Sequence, residues 1–350
     1  MELEIKPIAP VPPAEIDFDN LGFAFIPTEK MYVARYEGGA WTDHGLMPVG
    51  EFWMHPAAGA YHYGQALFEG TKARLTNDGE IVLFRAGDNA RRMADGCRRL
   101  MMPAYDEGQF VEAVKETVLA NKAYLPTDEQ GALYIRPVMF ASGPVLGVKP
   151  ADEYLFVVFV SPVGPYFKGG FHPIKLKVSK EYHRAPAEGV GSVKAAGNYA
   201  AGMYPNSLAK EEGYAELLYL DVNHEHFEEV GAANFFLRKG DELATPSLED
   251  LSILPGYTRE SVLQLAADEG LNASERDVML PEIYDADECF CTGTAAVITP
   301  IGVVNVEGED VTIGDGGVGK YSRLFYDQLN AIMLKEAPDK YGWVMTIGKK

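Results

Sequence analysis

The chain has 350 residues, with 51 acidic side chains against 31 basic ones for a formal net charge of -20, and 47% of it is apolar. That charge repels nucleic acid and anionic membrane surfaces, so an anionic ligand must meet a local nest of arginines and backbone N–H groups. The length exceeds what one hydrophobic core usually organises, so two domains are expected, and the apolar content excludes disorder beyond the ends.

The first twenty residues, MELEIKPIAPVPPAEIDFDN, are acidic and proline-rich and lack the charged and apolar regions of a signal peptide. From Met31 to about Phe84, short β-like runs (MYVARY, EIVLF) alternate with glycine and proline turns. Asp88 is read as the N-cap of a helix, DNARRMADGCRRLMM, that stops at Pro103. A second helix, FVEAVKETVLANKAYL, ends before Pro126, and strands ALYIRPVMF and YLFVVFVSPV follow. The longest clean apolar run, LFVVFV at 155–160, is too short to span a bilayer. YFKGGFHP, 166–173, reads as the connection between domains.

Beyond it, IKLKVSK and AELLYLDVN read as strands, and FEEVGAANFFLRKGDELATP as a hairpin turning at Lys239-Gly240. A helix starts near Thr258 and ends at Gly270, and ECFCTGTAAVITPIGVVNV is strand, tight turn and strand. The pattern is α+β, with antiparallel pairings dominant and helices segregated. Cys97, Cys289 and Cys291 are too few and too odd in number for a disulfide framework, which fits a reducing, cytoplasmic setting.

Three stretches invite a function and favour a plainer explanation. GDGGVGK at 314–320 nearly matches a phosphate-cradling loop, but Tyr321 stands where a hydroxyl for magnesium is needed, and too little chain follows to build a nucleotide domain. HEHFEE at 224–229 could aim His224 and His226 to one strand face, yet it lacks a third ligand nearby and reads as a hairpin turn. Cys289 and Cys291 share a strand face as buried thiols.

Lys194 is different: a long, hydrated cation inside GSVKAAGNYAAG, a run of small and flexible residues at 191–202. A lysine that does covalent chemistry needs its neutral amine near pH 7, hence desolvation or a neighbouring cation, and small neighbours would let a flat cofactor approach the backbone. By itself this reads equally as a surface lysine on a glycine-rich turn.

The rest of the chain adds to it. KAAGNY at 194–199, EVGAAN at 229–234, LPGYTR at 254–259 and TGTA at 292–295 occur in one order, with HYGQALFEGTKA, LFRAGDNARRM, LYIRP and GPVLGV in the N-terminal half. In order and spacing these motifs resemble the branched-chain amino acid aminotransferases, which are fold-type IV pyridoxal-phosphate enzymes. The resemblance covers almost the whole chain. D-amino acid aminotransferases and aminodeoxychorismate lyases share that fold but are usually shorter and lack the LYIRP and LGV segments in this form.

The resemblance implies a small N-terminal α/β domain over 1–165, an interdomain loop over 166–176 and a larger cofactor-binding domain over 177–350 with a mostly β, barrel-like core. It implies pyridoxal 5'-phosphate as cofactor, and transamination of leucine, isoleucine and valine with 2-oxoglutarate to give branched-chain 2-oxo acids and glutamate. Lys194 is then the lysine that condenses with the cofactor's aldehyde and moves the substrate's alpha proton. Glu229 faces the pyridine nitrogen, while Glu228, adjacent on a strand, points the other way. Tyr199 bonds the ring's 3-hydroxyl oxygen, and Arg92 meets the phosphate with a bidentate fork.

Gly256, Tyr257 and Thr258 open a helix whose N–H groups and dipole favour the same anion, with the Thr294 hydroxyl added. The N–H groups of Thr294 and Ala295 meet the substrate's alpha-carboxylate. Tyr63, Phe68, Tyr134 and Tyr166 form aromatic walls, joined by Phe23, although the segment after Phe23 reads IPTEKM where the family often has FTDHM. Arg136 admits the second carboxylate. Val148, in the Leu146-Gly147-Val148 turn, roofs the partner's pocket in a homodimer. Some members carry a C-x-x-C pair after the G-T-A turn; TAAVIT at 294–299 excludes a redox switch there.

Overall fold

The computed structural model describes residues 4–164 and 170–350. The chain forms two compact units: Met1–Pro165 with Val193–Ala196 and Ala331–Lys350, and Tyr166–Ser192 with Gly197–Asn330.

The first unit is built on an eight-stranded sheet. Its centre is strand Ala132–Ala141, which pairs antiparallel with Tyr154–Val163 on one side and with Ala66–Phe68 and Thr71–Leu75 on the other. Strict alternation explains why ALYIRPVMFA forms this strand. Leu133, Ile135 and Met139 are fully buried on the inner face, whereas Tyr134, Arg136, Val138 and Phe140 stand on the outer one.

The inner face is covered by helix Glu107–Ala120, whose Phe110 meets Phe156 at 5.5 Å between ring centroids, and helix Ala86–Arg99 buries Ala90, Met93 and Cys97. Helix Glu107–Ala120 is capped by the Asp106 carboxylate, which accepts from Gln109 N at 2.9 Å. It ends at Ala120 and passes into a short 3-10 turn, Lys122–Tyr124, so the single helix read up to Pro126 is two pieces.

The start of the other helix also differs from the sequence reading. Arg85, in the left-handed region at φ 54°, occupies the cap position, and Asp88 lies in the first turn as its ion-pair partner at 2.5 Å. The last strand, Val344–Lys349, pairs with Glu80–Phe84. The chain's end therefore belongs to the first unit, whereas the sequence reading carried the second domain through to residue 350.

In the second unit, six strands pair in a closed ring: Ile174–Ser179, Glu216–Leu220, His226–Val230, Ala233–Lys239, Glu288–Gly293 and Val297–Val306, the last pairing again with the first. Closure leaves these strands no free edge. Leu176, Leu218, Phe227, Phe235, Cys289 and Cys291 fill its core. The hairpin turning at Gly240 is present, but Gly231 breaks its first arm, so EVGAAN is itself a tight turn between two paired strands. Two helices outside the sequence reading complete the fold: Ala196–Glu211, which starts just after Lys194, and Lys320–Met333.

The lures resolve physically. The Glu288 carboxylate sits at the start of helix Lys320–Met333, accepting from Ser322 N, from Ser322 Oγ at 2.7 Å and from Tyr321 N at 3.1 Å. A Cβ on Gly319 would lie 2.0 Å from Glu288 Cδ. The place a phosphate would take after GDGGVGK thus already holds a carboxylate. His224 lies in a turn at φ 61° and His226 in a strand, so the two do not share a strand face. The Asp221 side chain organises that turn, accepting from the N–H groups of Asn223, Glu225 and His226. Burial pushes the Cys291 thiol up to about 12 and the Cys289 thiol well above its ordinary value, which removes the thiolate that redox chemistry needs.

Candidate active site

In the first unit, Lys194 is tied to strand Ala66–Phe68: Phe68 N donates to Lys194 O at 3.2 Å, and Ala195 forms a β-bridge with Leu67. The Lys194 Nζ lies 4.8 Å from the centroid of the Phe68 ring, and the Arg136 guanidinium is also 4.8 Å from that ring. Arg136 Nη2 donates to the Tyr134 hydroxyl at 3.2 Å, and Phe23 meets the Tyr134 ring edge-on at 5.0 Å. The structure therefore brings together Lys194, Phe68, Arg136, Tyr134 and Phe23.

A cavity of about 660 Å³ opens beside this group, with apolar walls that include Phe23, Phe25, Val138, Phe140 and Phe159, and with Tyr134, Arg136, Ser161 and Glu51 among its polar elements. That combination suits an aliphatic chain with a carboxylate at one end.

Tyr63 lies in the short helix Gly59–Tyr63 and donates its hydroxyl to Leu146 O, which fastens the 146–148 turn to it. Leu146 and Val148 are 85% and 88% exposed, more than any other large apolar side chain among the described residues. Tyr166 lies outside the described residues.

Arg92 departs from the expected geometry. Its Nε and Nη2 both donate to the Glu69 carboxylate at 2.7 Å, and Asn89 donates to the same group at 2.9 Å. The Nε and Nη2 edge of the fork therefore clasps a buried glutamate. Sequence reasoning missed Glu69, although its place next to Phe68 in FEG was a signal.

In the second unit, Glu229 is almost completely buried and held by three donors: Arg184 Nε at 2.8 Å, the Leu254 N–H, and Asn234 Nδ2 at 3.4 Å. Arg184 also donates to the carbonyls of Gly191 and Ser252. A buried carboxylate needs such company. Arg184 went unread, although a basic residue in YHRAPAEG was visible.

Glu228 does not simply point away. The pairing sets Leu218 and Leu220 opposite Val230 and Phe227, so a β-bulge puts the extra residue on the glutamates' own strand and breaks its alternation, and both glutamates are buried. Burial pushes the Glu228 carboxyl up, opposed by a hydrogen bond with Ser252 and by the charges of His226 and Arg184.

Asn234 links Glu229 to a helix start. It donates to Leu254 O at 2.8 Å, and a Cβ on Gly256 would lie 2.0 Å from its Oδ1, so only glycine fits there. Gly256 is the N-cap of helix Tyr257–Asp268 and supplies no side-chain cap, which leaves the first N–H groups aimed outward. Thr258 is buried in its first turn. Across the sheet from Asn234, the Thr292 hydroxyl is buried without a hydrogen-bond partner. Thr294 and Ala295 occupy the turn between strands Glu288–Gly293 and Val297–Val306, and Tyr199 lies partly buried in the first turn of helix Ala196–Glu211.

A buried acid among donors, an uncapped helix N-terminus and an orphaned hydroxyl fit an aromatic nitrogen ring that carries a phosphate. Pyridoxal 5'-phosphate has that composition.

The family described as Amino-transferase class IV matches residues 66–304. A chloroplastic branched-chain amino acid aminotransferase 2 of Humulus lupulus is 46% identical over 336 residues, covering 95% of this chain and 82% of that protein. The crystal structure of the Escherichia coli branched-chain amino acid aminotransferase superposes with a TM-score of 0.77 at 27% identity, over 92% of this chain and 100% of that one. The branched-chain amino acid aminotransferase from Thermobaculum terrenum, in its PLP-bound holo form, gives 0.78 at 25% identity, over 92% and 99%. Among the described residues, no helix is long and apolar enough to cross a membrane.

Proposed function

The chain belongs to the class IV amino-transferases and, within them, to the branched-chain amino acid aminotransferases, and on that footing we propose the following roles for its residues. It exchanges an amino group between leucine, isoleucine or valine and 2-oxoglutarate, yielding branched-chain 2-oxo acids and glutamate. Pyridoxal phosphate, when bound, supplies an aldehyde that condenses with amines and a protonated ring that withdraws electrons from the alpha carbon.

Lys194 would hold that aldehyde through its Nζ, and, once displaced by the substrate's amine, the neutral Nζ would take the substrate's alpha proton and give it to the former aldehyde carbon. Glu229 presents its charge to the ring nitrogen, kept in place by Arg184, Asn234 and the Leu254 N–H. The N–H groups of Gly256, Tyr257 and Thr258, with the Thr294 hydroxyl, receive the phosphate. Arg92, oriented by Glu69, adds its positive charge toward the phosphate. Tyr199 steadies the ring hydroxyl, and the Thr294 and Ala295 N–H groups meet the alpha-carboxylate.

Phe23, Tyr63, Phe68, Tyr134 and Tyr166 wall the substrate pocket, and Arg136 takes the second carboxylate of glutamate. The exposed Leu146 and Val148 support a homodimer in which this turn covers the partner's pocket. Three buried free thiols support a cytoplasmic location.

The observation that carries the assignment of roles is Glu229, a buried acid joined through Asn234 to an uncapped helix start. Leucine with 2-oxoglutarate should yield glutamate, and borohydride treatment of the holoenzyme should leave the cofactor attached to the peptide bearing Lys194. Attachment to any other lysine would overturn the assignment.

A further inference from the structure

Two segments of the second unit run side by side. Glu188 N donates to Asp250 O at 2.6 Å and Ser192 N to Leu251 O at 2.8 Å. Between these bonds the backbones nearly touch, since a Cβ on Gly191 would lie 2.1 Å from Ser252 O. The second segment leads directly into Leu254 and the helix start at Gly256.

Arg184 pins this pair to Glu229. Its Nη1 donates to the carbonyls of Gly191 at 3.2 Å and Ser252 at 2.7 Å, one on each segment, while its Nε meets one oxygen of the Glu229 carboxylate at 2.8 Å. The Arg184 side chain is only 5% exposed, so water competes little for these contacts. A planar guanidinium serves three acceptors in one fixed geometry, which an ammonium on a flexible stem cannot do. The other Glu229 oxygen accepts from the Leu254 N–H and from Asn234 Nδ2, and Asn234 also donates to Leu254 O at 2.8 Å. The acid, the paired segments and the approach to the helix start thus form one hydrogen-bonded piece with Arg184 at its centre.

The charge of Arg184 matters as much as its shape. Glu228 and Glu229 are both buried, and burial pushes the Glu228 carboxyl up, with Arg184 among the charges that oppose the rise. A guanidinium favours the ionised form of a carboxylate it touches; without a cation, one of two adjacent buried carboxylates takes a proton.

We propose that Arg184 is a positioning residue with two separable effects. Its charge keeps Glu229 ionised toward the cofactor's ring nitrogen, and its three contacts set the distance between that acid and the helix start that receives the phosphate. This rests on the transaminase reading above.

The test compares two full-length variants: Arg184→Lys keeps the charge and loses the planar geometry, and Arg184→Gln loses the charge. With the holoenzymes, deuterium loss from labelled leucine should slow about a hundredfold in Arg184→Gln but stay within about tenfold of wild type in Arg184→Lys, a rescue by charge that a merely structural arginine would not show. In the cofactor-free chains, calorimetric titration with inorganic phosphate should show affinity lowered roughly tenfold in both, the size of one charged hydrogen bond. Gly191→Ala, which forces the paired segments apart at Ser252 and leaves the Arg184 charge, should match Arg184→Lys in both measurements.

Circular dichroism verifies folding, and if Arg184→Gln fails it, the double variant Arg184→Gln/Glu228→Gln, relieved of the second buried carboxylate, takes its place in the same comparison. Exchange equally slow in the lysine and glutamine variants, or unaffected in both, would overturn the proposal. So would unchanged phosphate affinity in Arg184→Lys and Gly191→Ala. A wild type that neither gains visible absorbance with pyridoxal phosphate nor exchanges leucine's deuterium would overturn the reading beneath it instead.

Discussion

A lysine kept charged on a partly buried sheet face should cost stability, and Lys72 permits that cost to be measured. Its ammonium is lowered from 10.5 to about 8, chiefly by desolvation. At 1.36 kcal/mol per pKa unit the shift corresponds to about 3 kcal/mol. The sign follows from linkage: between pH 8 and 10.5 the unfolded chain holds a proton at Lys72 that the folded chain has released, so wild-type stability should rise across that window. Below pH 8 the full penalty applies.

Lys72→Met keeps the stem and removes the charge. The cofactor-free variant should therefore be more stable than wild type at pH 7, by up to about 3 kcal/mol, with the difference fading toward pH 10.5. Urea unfolding of both proteins at one concentration, at pH 7 and pH 10, gives the comparison. A gain equal at both pH values, or a less stable variant at pH 7, would refute the reasoning.

Glu229→Gln should bind cofactor yet slow alpha-proton exchange by several orders of magnitude, read as deuterium loss from labelled leucine; a loss under tenfold would remove Glu229 from the ring nitrogen. Because Arg184 and Ser252 tie Glu228 into the same buried cluster, Glu228→Gln should lower stability more than rate, and unfolding and turnover measured on one sample separate the two. Gly256→Ala drives a Cβ to 2.0 Å from Asn234 Oδ1 and should weaken cofactor binding at least tenfold in a fluorescence titration; unchanged affinity would show that the helix start does not meet the phosphate. Val148→Asp should weaken leucine turnover and association together, and a fully active wild-type species sedimenting as a 38.3 kDa monomer would defeat the dimer proposal.

The sequence alone carried what is encoded locally. Lys194 among small residues, the LPGYTR helix start, the EVGAAN and CTGTAA turns and the alternation of ALYIRPVMFA each depend on neighbours a few positions away, where steric size, backbone freedom and side-chain period act directly. The resemblance then attached a cofactor and an activity to those motifs. What lay beyond it joins residues far apart in the chain.

Arg92 read as an open fork, and only folding set Glu69 against it. Strict alternation separated Glu228 from Glu229 until a bulge in their own strand, visible only in its pairing with Glu216–Leu220, removed that rule. Val344–Lys349 found its partner at Glu80–Phe84, more than 250 residues earlier, because main-chain hydrogen bonding has no sequence signature. Lys72 looked like one more charge in GTKARL, and the register of two strands made it a neighbour of Tyr134. Local sequence chose the residues that can do the chemistry; pairing and burial, which depend on the whole chain, decided which charges face one another and at what cost in water lost.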